Sequence, residues 1–291
     1  MDLSRILAEF RTEEQCLSYL VKIRWSGLPE CTNCGSFRVY KRKCSPRFKC
    51  GECNQSFSVK VGTIFHASKL PLTKWFLAIS VVLSAKKGIS SRQLARTIAV
   101  NNDTAWYMQS RIRRAMNEDH SLYGLVEVDE TYIGGALGNM SKKKKKSRNP
   151  YRSGMVHKVP VLGMLERGES GKVSLQILEH PDGLHIKPIL KERIDKKSKV
   201  VTDGFGGYYG IGQYFKKHIK TNATKNQRNW GRYHINTVEG FFSTIKRAVM
   251  GQYHNLSLKH LQSYLDEIAF KKNHKQEYLF DRLLLNACAI C

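Results

Sequence analysis

The sequence predicts an α/β domain that is preceded by a small cysteine-rich β module and a helical unit. Two Cys-x2-Cys pairs lie in residues 28–66, and three amphipathic segments follow between residues 72 and 116. Beyond residue 121, strand-like segments are mixed with helical ones, which is typical of α/β domains. With 291 residues, 41% hydrophobic and 10% aromatic, the chain can bury enough apolar surface to fold.

The charge balance predicts a polyanionic partner. The chain has 49 Lys and Arg against 24 Asp and Glu, a net charge of +25, and nucleic acid is the commonest partner of such a field. The N-terminus lacks the basic start and apolar core of a signal peptide, and the longest apolar stretch, Trp75–Ala85, is about half of the ~20 residues that a membrane span needs. We therefore expect a soluble, cytoplasmic and nucleoid-associated protein without a membrane partner.

The first two segments are predicted as one short helix, residues 1–27, and a zinc ribbon, residues 28–66. Two Cys-x2-Cys pairs stand fifteen residues apart: Cys31, Cys34, Cys50 and Cys53. A two-residue spacing lets a tight turn direct both sulfurs at one ion, so four thiolates predict a closed, structural zinc site. Cys44 lies outside a pair and is interpreted as a bystander, and Cys16 as a small core residue.

Residues 70–118 are predicted as a helix-turn-helix-like DNA-binding unit. Its segments Arg92–Ile98 and Thr104–Met116 are separated by a short connection, with Ser90 or Ser91 before the first of these helices and Asp103 before the second as the expected caps. A plain helical packing unit is the competing interpretation. In either case Arg111 is a candidate for contact with DNA phosphates.

Residues 121–275 are predicted as the α/β domain, with a basic loop at 137–158 and a C-terminal tail at 276–291. The expected elements are strands Leu125–Ile133, Val159–Glu166, Val173–Glu179 and Ser198–Thr202, with a helix at Ile186–Ile194. The tail ends in one further Cys-x2-Cys pair, Cys288 and Cys291, whose role the sequence leaves open.

Three acids are the candidate catalytic residues. Alternation in Leu125–Ile133 directs Asp129 away from the apolar face, and Asp203 ends an apolar strand before a glycine-rich turn. Glu239 lies on a predicted helix, and Lys246, seven residues later, returns to nearly the same face. The acids are separated by 73 and 35 residues.

This pattern resembles the DDE transposases and retroviral integrases. The blocks VDETYIGG, VTDGFGGY and HINTVEGFFSTIKRAVMGQYH, together with the ribbon, are similar to transposases of small bacterial insertion sequences in the zinc-ribbon group related to eukaryotic Merlin elements. The resemblance covers roughly residues 10–275. It implies an RNase H-like catalytic domain, in which a mixed sheet is flanked by helices.

The resemblance also implies the site residues. Asp129, Asp203 and Glu239 would bind two Mg²⁺ or Mn²⁺ ions, and Lys246 would contact DNA near the scissile phosphate. Relatives place Asn or Glu at the third position, so Asn236 stays open as the rival of Glu239. Glu127 and Glu130 are nearby acids that could be mistaken for the first ligand; their sequence positions do not exclude them.

Further DNA contacts are expected from basic residues around the second and third acids. The candidates are Lys225, Arg228, Arg232 and Arg247. A solvated charged face is the alternative interpretation of the segment between these acids.

The predicted function is metal-dependent DNA cleavage and strand transfer at the ends of an insertion sequence, with double-stranded terminal-repeat and target DNA as partners. A homodimer or higher oligomer is expected on DNA. The alternatives are a noncatalytic zinc-ribbon and helix-turn-helix regulator, or an RNase H-like nuclease without strand transfer. The terminal-repeat sequence, the target preference and the mobility of the element are left open.

Overall fold

The computed structural model describes residues 3–42, 45–134, 158–169, 171–221, 233–253, 256–275 and 278–289. The chain divides into two compact units, one formed by Met1–Asn117 with His274–Cys291 and the other by Glu118–Asn273. Within the described ranges no helix is both long and apolar enough to cross a membrane.

The first unit begins with two helices, α1 (Leu3–Glu9) and α2 (Glu13–Trp25), where the sequence predicted one. The break comes from a capping box at Thr12. The Thr12 hydroxyl accepts a hydrogen bond from the Gln15 backbone N–H at 3.2 Å, and the Gln15 side chain accepts one from the Thr12 N–H at 3.0 Å. This reciprocal pair starts a new helix at residue 13.

The ribbon is a three-stranded antiparallel sheet. Its strands are β1 (Val39–Lys41), β2 (Arg47–Cys50) and β3 (Ser56–Ser58), in the order β1-β2-β3. Phe48 and Phe57 are buried against each other and against Trp25 of α2. The ribbon therefore shares its small core with the preceding helix.

Three helices follow, and the C-terminal helix packs with them. They are α3 (Leu72–Ser84), α4 (Ser91–Ile98) and α5 (Asn102–Arg114). Ser90 caps α4 as one of the two predicted alternatives, but α5 is capped by Asn101, whose side chain accepts from the Thr104 N–H at 2.7 Å. The prediction of Asp103 as this cap was wrong, because Asp103 already lies in the first helical turn.

The second unit is built on a mixed sheet, as predicted, whose five described strands have the order β6-β5-β4-β7-β8. Their bounds are β4 Leu125–Ile133, β5 Val159–Glu166, β6 Val173–Ile177, β7 Lys199–Thr202 and β8 Lys217–Lys220. Strands β4, β7 and β8 are mutually parallel, while β5 is antiparallel to β4 and β6. Strand β8 was not predicted, since its sequence KHIK carries two exposed lysines at an edge of the sheet.

Helices cover both faces of this sheet. Helix α6 (Gly183–Arg193) begins three residues before the predicted start because Asp182 caps it, and it packs against one face. Helices α7 (Asn236–Ala248) and α8 (Leu258–Asn273) pack against the other face. Helix α9 (Leu279–Ala289) belongs to the first unit and packs against α2 and α3.

Candidate active site and zinc site

The four ribbon cysteines form one cluster. Their sulfur atoms all lie within 4.8 Å of one another, and Cys31 and Cys53, like Cys34 and Cys50, have Sγ atoms 3.6 Å apart. Zinc–thiolate bonds of about 2.3 Å in a tetrahedron give sulfur separations of about 3.8 Å. The cluster is therefore suited to one tetrahedral Zn²⁺ ion.

Backbone hydrogen bonds lower the pKa of two of these thiols, Cys50 and Cys53, whereas the pKa of Cys34 is raised. A backbone hydrogen bond from Gln55 lowers the pKa of the Cys53 thiol from 9.0 to about 6, which favours the thiolate that zinc binds. Cys288, by contrast, is buried in α9, where burial raises the pKa of its thiol to about 11. Cys44 and Cys291 lie outside the described residues.

The first two predicted acids lie side by side on neighbouring strands. Leu125, Val126 and Glu127 of β4 pair in parallel with Lys199, Val200 and Val201 of β7. Continuing this register by two residues brings Asp203, just after the end of β7, opposite Asp129. Because alternate residues share a face, both carboxylates lie on the face that α7 covers.

Helix α7 carries the third acid across the same face. Val238, Phe242 and Ile245 bury one side of the helix against the sheet, while Glu239 and Lys246 stay exposed. The sequence places Lys246 two turns after Glu239. The structure therefore brings Asp129, Asp203 and Glu239 to one face of the sheet.

A glycine allows this helix to approach closely. Gly163 of β5 pairs with Asp129, and a Cβ atom at that position would lie 2.7 Å from Cζ of Phe242 and 3.2 Å from Cγ2 of Val238. Any side chain at residue 163 would collide with α7. Sequence reasoning missed this residue, although a glycine inside a strand pattern is a recognised sign of close approach.

The charges in this region act on one another. Burial, followed by the negative charges of Asp203 and Glu239, raises the pKa of Asp129 from 3.8 to about 7, and Lys246 opposes this shift. A cluster of carboxylates with this excess of negative charge fits hard divalent cations such as Mg²⁺. In the described part of the chain, the four cysteines are the only group of three or more residues whose potential ligand atoms all lie within 4.8 Å of one another. The carboxylate oxygens of the three acids are therefore not all this close together.

Glu130 occupies the opposite face of β4. Burial and the charges of Asp129 and Asp203 raise its pKa to about 7, and the fully buried phenol of Tyr208 lies beside it. Neither Glu130 Oε1 nor the Tyr208 hydroxyl has a hydrogen bond of normal geometry. Glu130 thus faces the α6 side of the sheet, away from Glu239.

Glu127 is a residue of β4, and its fully buried carboxylate contacts the start of α7. Its Oε2 accepts hydrogen bonds from the backbone N–H groups of Thr237 and Val238, each at 3.0 Å, and its Oε1 pairs with Arg167 Nε. Arg167 Nη2 also donates to the His234 carbonyl oxygen at 2.6 Å and lies 2.6 Å from His234 Nδ1. The sequence pointed to Glu127 as a nearby acid but not to Arg167, which only the fold brings to it.

The predicted DNA-binding residues have different surroundings. Lys246 and Arg247 are exposed on α7, and Arg247 Nη2 donates to Thr244 Oγ1 at 3.3 Å. Arg111 Nη1 donates to the carbonyl oxygens of Ile64 and His66 at 2.7 and 2.6 Å, so this nitrogen serves the internal structure of the first unit. Lys225, Arg228, Arg232 and residues 137–157 of the predicted basic loop lie outside the described residues.

Each of the two units contains a segment that matches a known protein family. Residues 121–273 match the model of the ISXO2-like transposase domain, and residues 11–56 match the transposase zinc-ribbon domain, which confirms the predicted ribbon. A protein of the transposable element ISH50 from Halobacterium salinarum, described as uncharacterized, is 28% identical over 272 residues, covering 88% of this chain and 89% of that protein.

Among solved structures, the chain is similar to the Mos1 strand transfer complex, with 12% identity, a TM-score of 0.30 and coverage of 72% of this chain and 75% of that one. It is also similar to a pre-cleavage Mos1 transpososome, with 11% identity, a TM-score of 0.29 and coverage of 99% and 96%. With such low TM-scores, neither structure supports a conclusion about this chain. The match to residues 121–273 spans more than half of the sequence, and the chain therefore belongs to the ISXO2-like transposases.

Proposed function

We propose that this transposase cleaves DNA at the ends of its insertion sequence and joins those ends to target DNA, with Asp129, Asp203 and Glu239 as ligands of two Mg²⁺ or Mn²⁺ ions. One observation carries the proposal. Asp129, within β4, and Asp203, just after the end of the parallel neighbouring strand β7, lie at the same level, and Glu239 projects from the helix that packs across that face.

The residues supply a negatively charged, partly buried surface. Carboxylate oxygens are the ligands that Mg²⁺ and Mn²⁺ prefer. The pKa of Asp129 is raised first by burial and then by the negative charges of Asp203 and Glu239, and bound cations would relieve that repulsion. When bound, such a pair of ions activates the attacking oxygen and stabilises the leaving oxygen in an in-line phosphoryl displacement.

Glu239 is our choice for the third ligand. Its charge contributes to the raised pKa of Asp129, which supports its proximity to the other two acids. Asn236 lies one turn earlier, at the first residue of α7, and its backbone N–H donates to His234 Nδ1 at 3.3 Å. A neutral amide at residue 236 would bind a cation more weakly than a carboxylate at residue 239.

The DNA partner follows from charge and from the position of Lys246. With a net charge of +25 the chain attracts DNA, and Lys246 is near enough to Asp129 to lower its pKa. We assign Lys246 and Arg247 to phosphate contacts beside the acids. Joining two element ends calls for at least two copies of the chain on DNA, where the protein would be nucleoid-associated.

A strand-transfer assay tests this function. Labelled terminal-repeat DNA is incubated with target DNA and Mg²⁺, and joined products support the proposal. Cleavage without joining would indicate a nuclease, and binding alone would indicate a regulator. Asp203→Asn should abolish cleavage and joining while DNA binding persists.

The matched control is Glu192→Gln, which removes an exposed carboxylate on α6, the helix on the opposite face of the sheet. It should retain cleavage and joining. Full activity of Asp203→Asn would remove Asp203 from the site.

A further inference from the structure

The buried Glu127 connects the strand of the first proposed ligand to the helix of the third. It lies on β4 two residues before Asp129, on the same face, which corresponds to a distance of about 7 Å along a strand. Its carboxylate reaches the backbone N–H groups of Thr237 and Val238, the two residues that directly precede Glu239.

Before α7, the His234 ring accepts a hydrogen bond from the Asn236 N–H at 3.3 Å, whereas the next two amides, those of Thr237 and Val238, donate to the Glu127 carboxylate. The residue before the helix is Ile235, which offers no side-chain hydrogen bond to the first turn. The first amides of a helix have no partner within it and carry partial positive charge. In α7 a carboxylate from a distant part of the chain fulfils the role that Ser, Thr, Asp or Asn performs at most helix starts.

Arg167 completes the connection. Its guanidinium neutralises the fully buried carboxylate of Glu127 and also holds the carbonyl oxygen of His234, the second residue before the helix. His234 Nδ1 lies 3.8 Å from Glu127 Oε1, within the same group. A buried carboxylate with an ion pair and two amide donors holds its neighbours in one arrangement.

We propose that Glu127 is a positioning residue that sets the offset between Asp129 and Glu239 by capping α7 from strand β4. The inference rests on the proposed function, because it assigns Glu127 a task for the same group of acids. Glu127 itself binds no metal here, since both of its oxygens are occupied by Arg167 and the α7 amides.

Two substitutions separate the parts of this role. Glu127→Gln keeps the shape but has a single acceptor oxygen, so it cannot serve both Arg167 and the helix. Glu127→Asp keeps the charge for Arg167 but is one methylene shorter, so it withdraws from the amides of α7. Leu175→Ala is the control, because Leu175 is a core residue of β6, which packs against α8, and its loss destabilises the same unit without removing a hydrogen bond from the start of α7.

Two measurements test this role. The first is hydrogen exchange of the metal-free protein in peptides covering residues 234–241, and the second is the Mg²⁺ concentration that gives half-maximal cleavage. Both Glu127 variants should show faster exchange there and a midpoint raised by about 10- to 100-fold, the usual effect of removing a group that orients metal ligands. Leu175→Ala should change neither. The proposal is overturned if the two Glu127 variants match the wild type or the Leu175→Ala variant in both measurements. Global unfolding of both Glu127 variants would overturn it as well.

The failure of this inference is distinguishable from that of the proposed function. If the wild-type protein shows no Mg²⁺-dependent cleavage, the proposed function fails. If the wild type cleaves and Asp203→Asn does not, while the Glu127 variants keep the wild-type midpoint and exchange, only the positioning role is wrong.

Discussion

The close approach of α7 to the sheet predicts a large effect from one methyl group. In Gly163→Ala the new Cβ would lie 2.7 Å from Cζ of Phe242 and closer still to Cε1, whereas ordinary contact begins at 3.4 Å. The ring, or the helix that carries it, must therefore move by at least about 0.7 Å. Because Glu239 lies on this helix, a shift of the helix would move it away from Asp129, which pairs with Gly163.

The magnitude follows from two opposing effects. Overpacking costs about 1–3 kcal/mol, while replacing a strand glycine by alanine recovers about 0.5–1 kcal/mol of chain entropy. We expect a net loss of up to about 2.5 kcal/mol in the free energy of unfolding, measured by urea denaturation. Because a displacement near 1 Å can reduce a rate by about 100-fold, cleavage should fall far more than stability does.

Two comparisons make this prediction refutable. Gly212→Ala is the matched control, since among the described residues a Cβ there would meet only His218 Cβ, at an ordinary 3.5 Å, and it should behave as the wild type. Adding Phe242→Leu to Gly163→Ala should recover part of the lost activity by shortening the colliding side chain. Wild-type cleavage by Gly163→Ala, or no interaction between the two substitutions, would refute the reasoning.

Three further predictions concern the metal sites and the acids. Cys31→Ser should release zinc and unfold the ribbon, seen as loss of bound zinc by elemental analysis and as rapid proteolysis of residues 28–66; retained zinc would contradict the four-thiolate site. The pKa of Asp129 is raised in the folded state, so its contribution to stability is full below pH 3.8 and is lost as the pH rises through about 7. Asp129→Asn should flatten the pH dependence of the metal-free melting temperature over this window, and an unchanged profile would show that other groups control it. Glu239→Gln should reduce cleavage by several orders of magnitude and Asn236→Ala by less than tenfold, and the reverse order would make Asn236 the third ligand.

Local sequence patterns predicted the elements that carry the proposed site. The bounds of β4 and β5 are those predicted from the sequence, and the orientation of Asp129 away from Val126 and Val128 is confirmed. The cysteine spacing predicted a cluster that the structure confirms. These features depend on residues a few positions apart, so a single sequence is enough to reveal them.

Contacts between distant residues were beyond the reach of such patterns. Sequence analysis treated Glu127 only as a neighbouring acid, because nothing near it along the chain shows that its partners are Arg167 and the amides of residues 237 and 238. The same holds for Gly163, whose importance depends on the ring of Phe242, and for the edge strand β8. Residue types and their spacing determined the elements and the candidate acids, whereas tertiary packing decided which buried groups hold α7 against the sheet. The packing and hydrogen-bond energies that hold this helix come from atoms that meet only after folding.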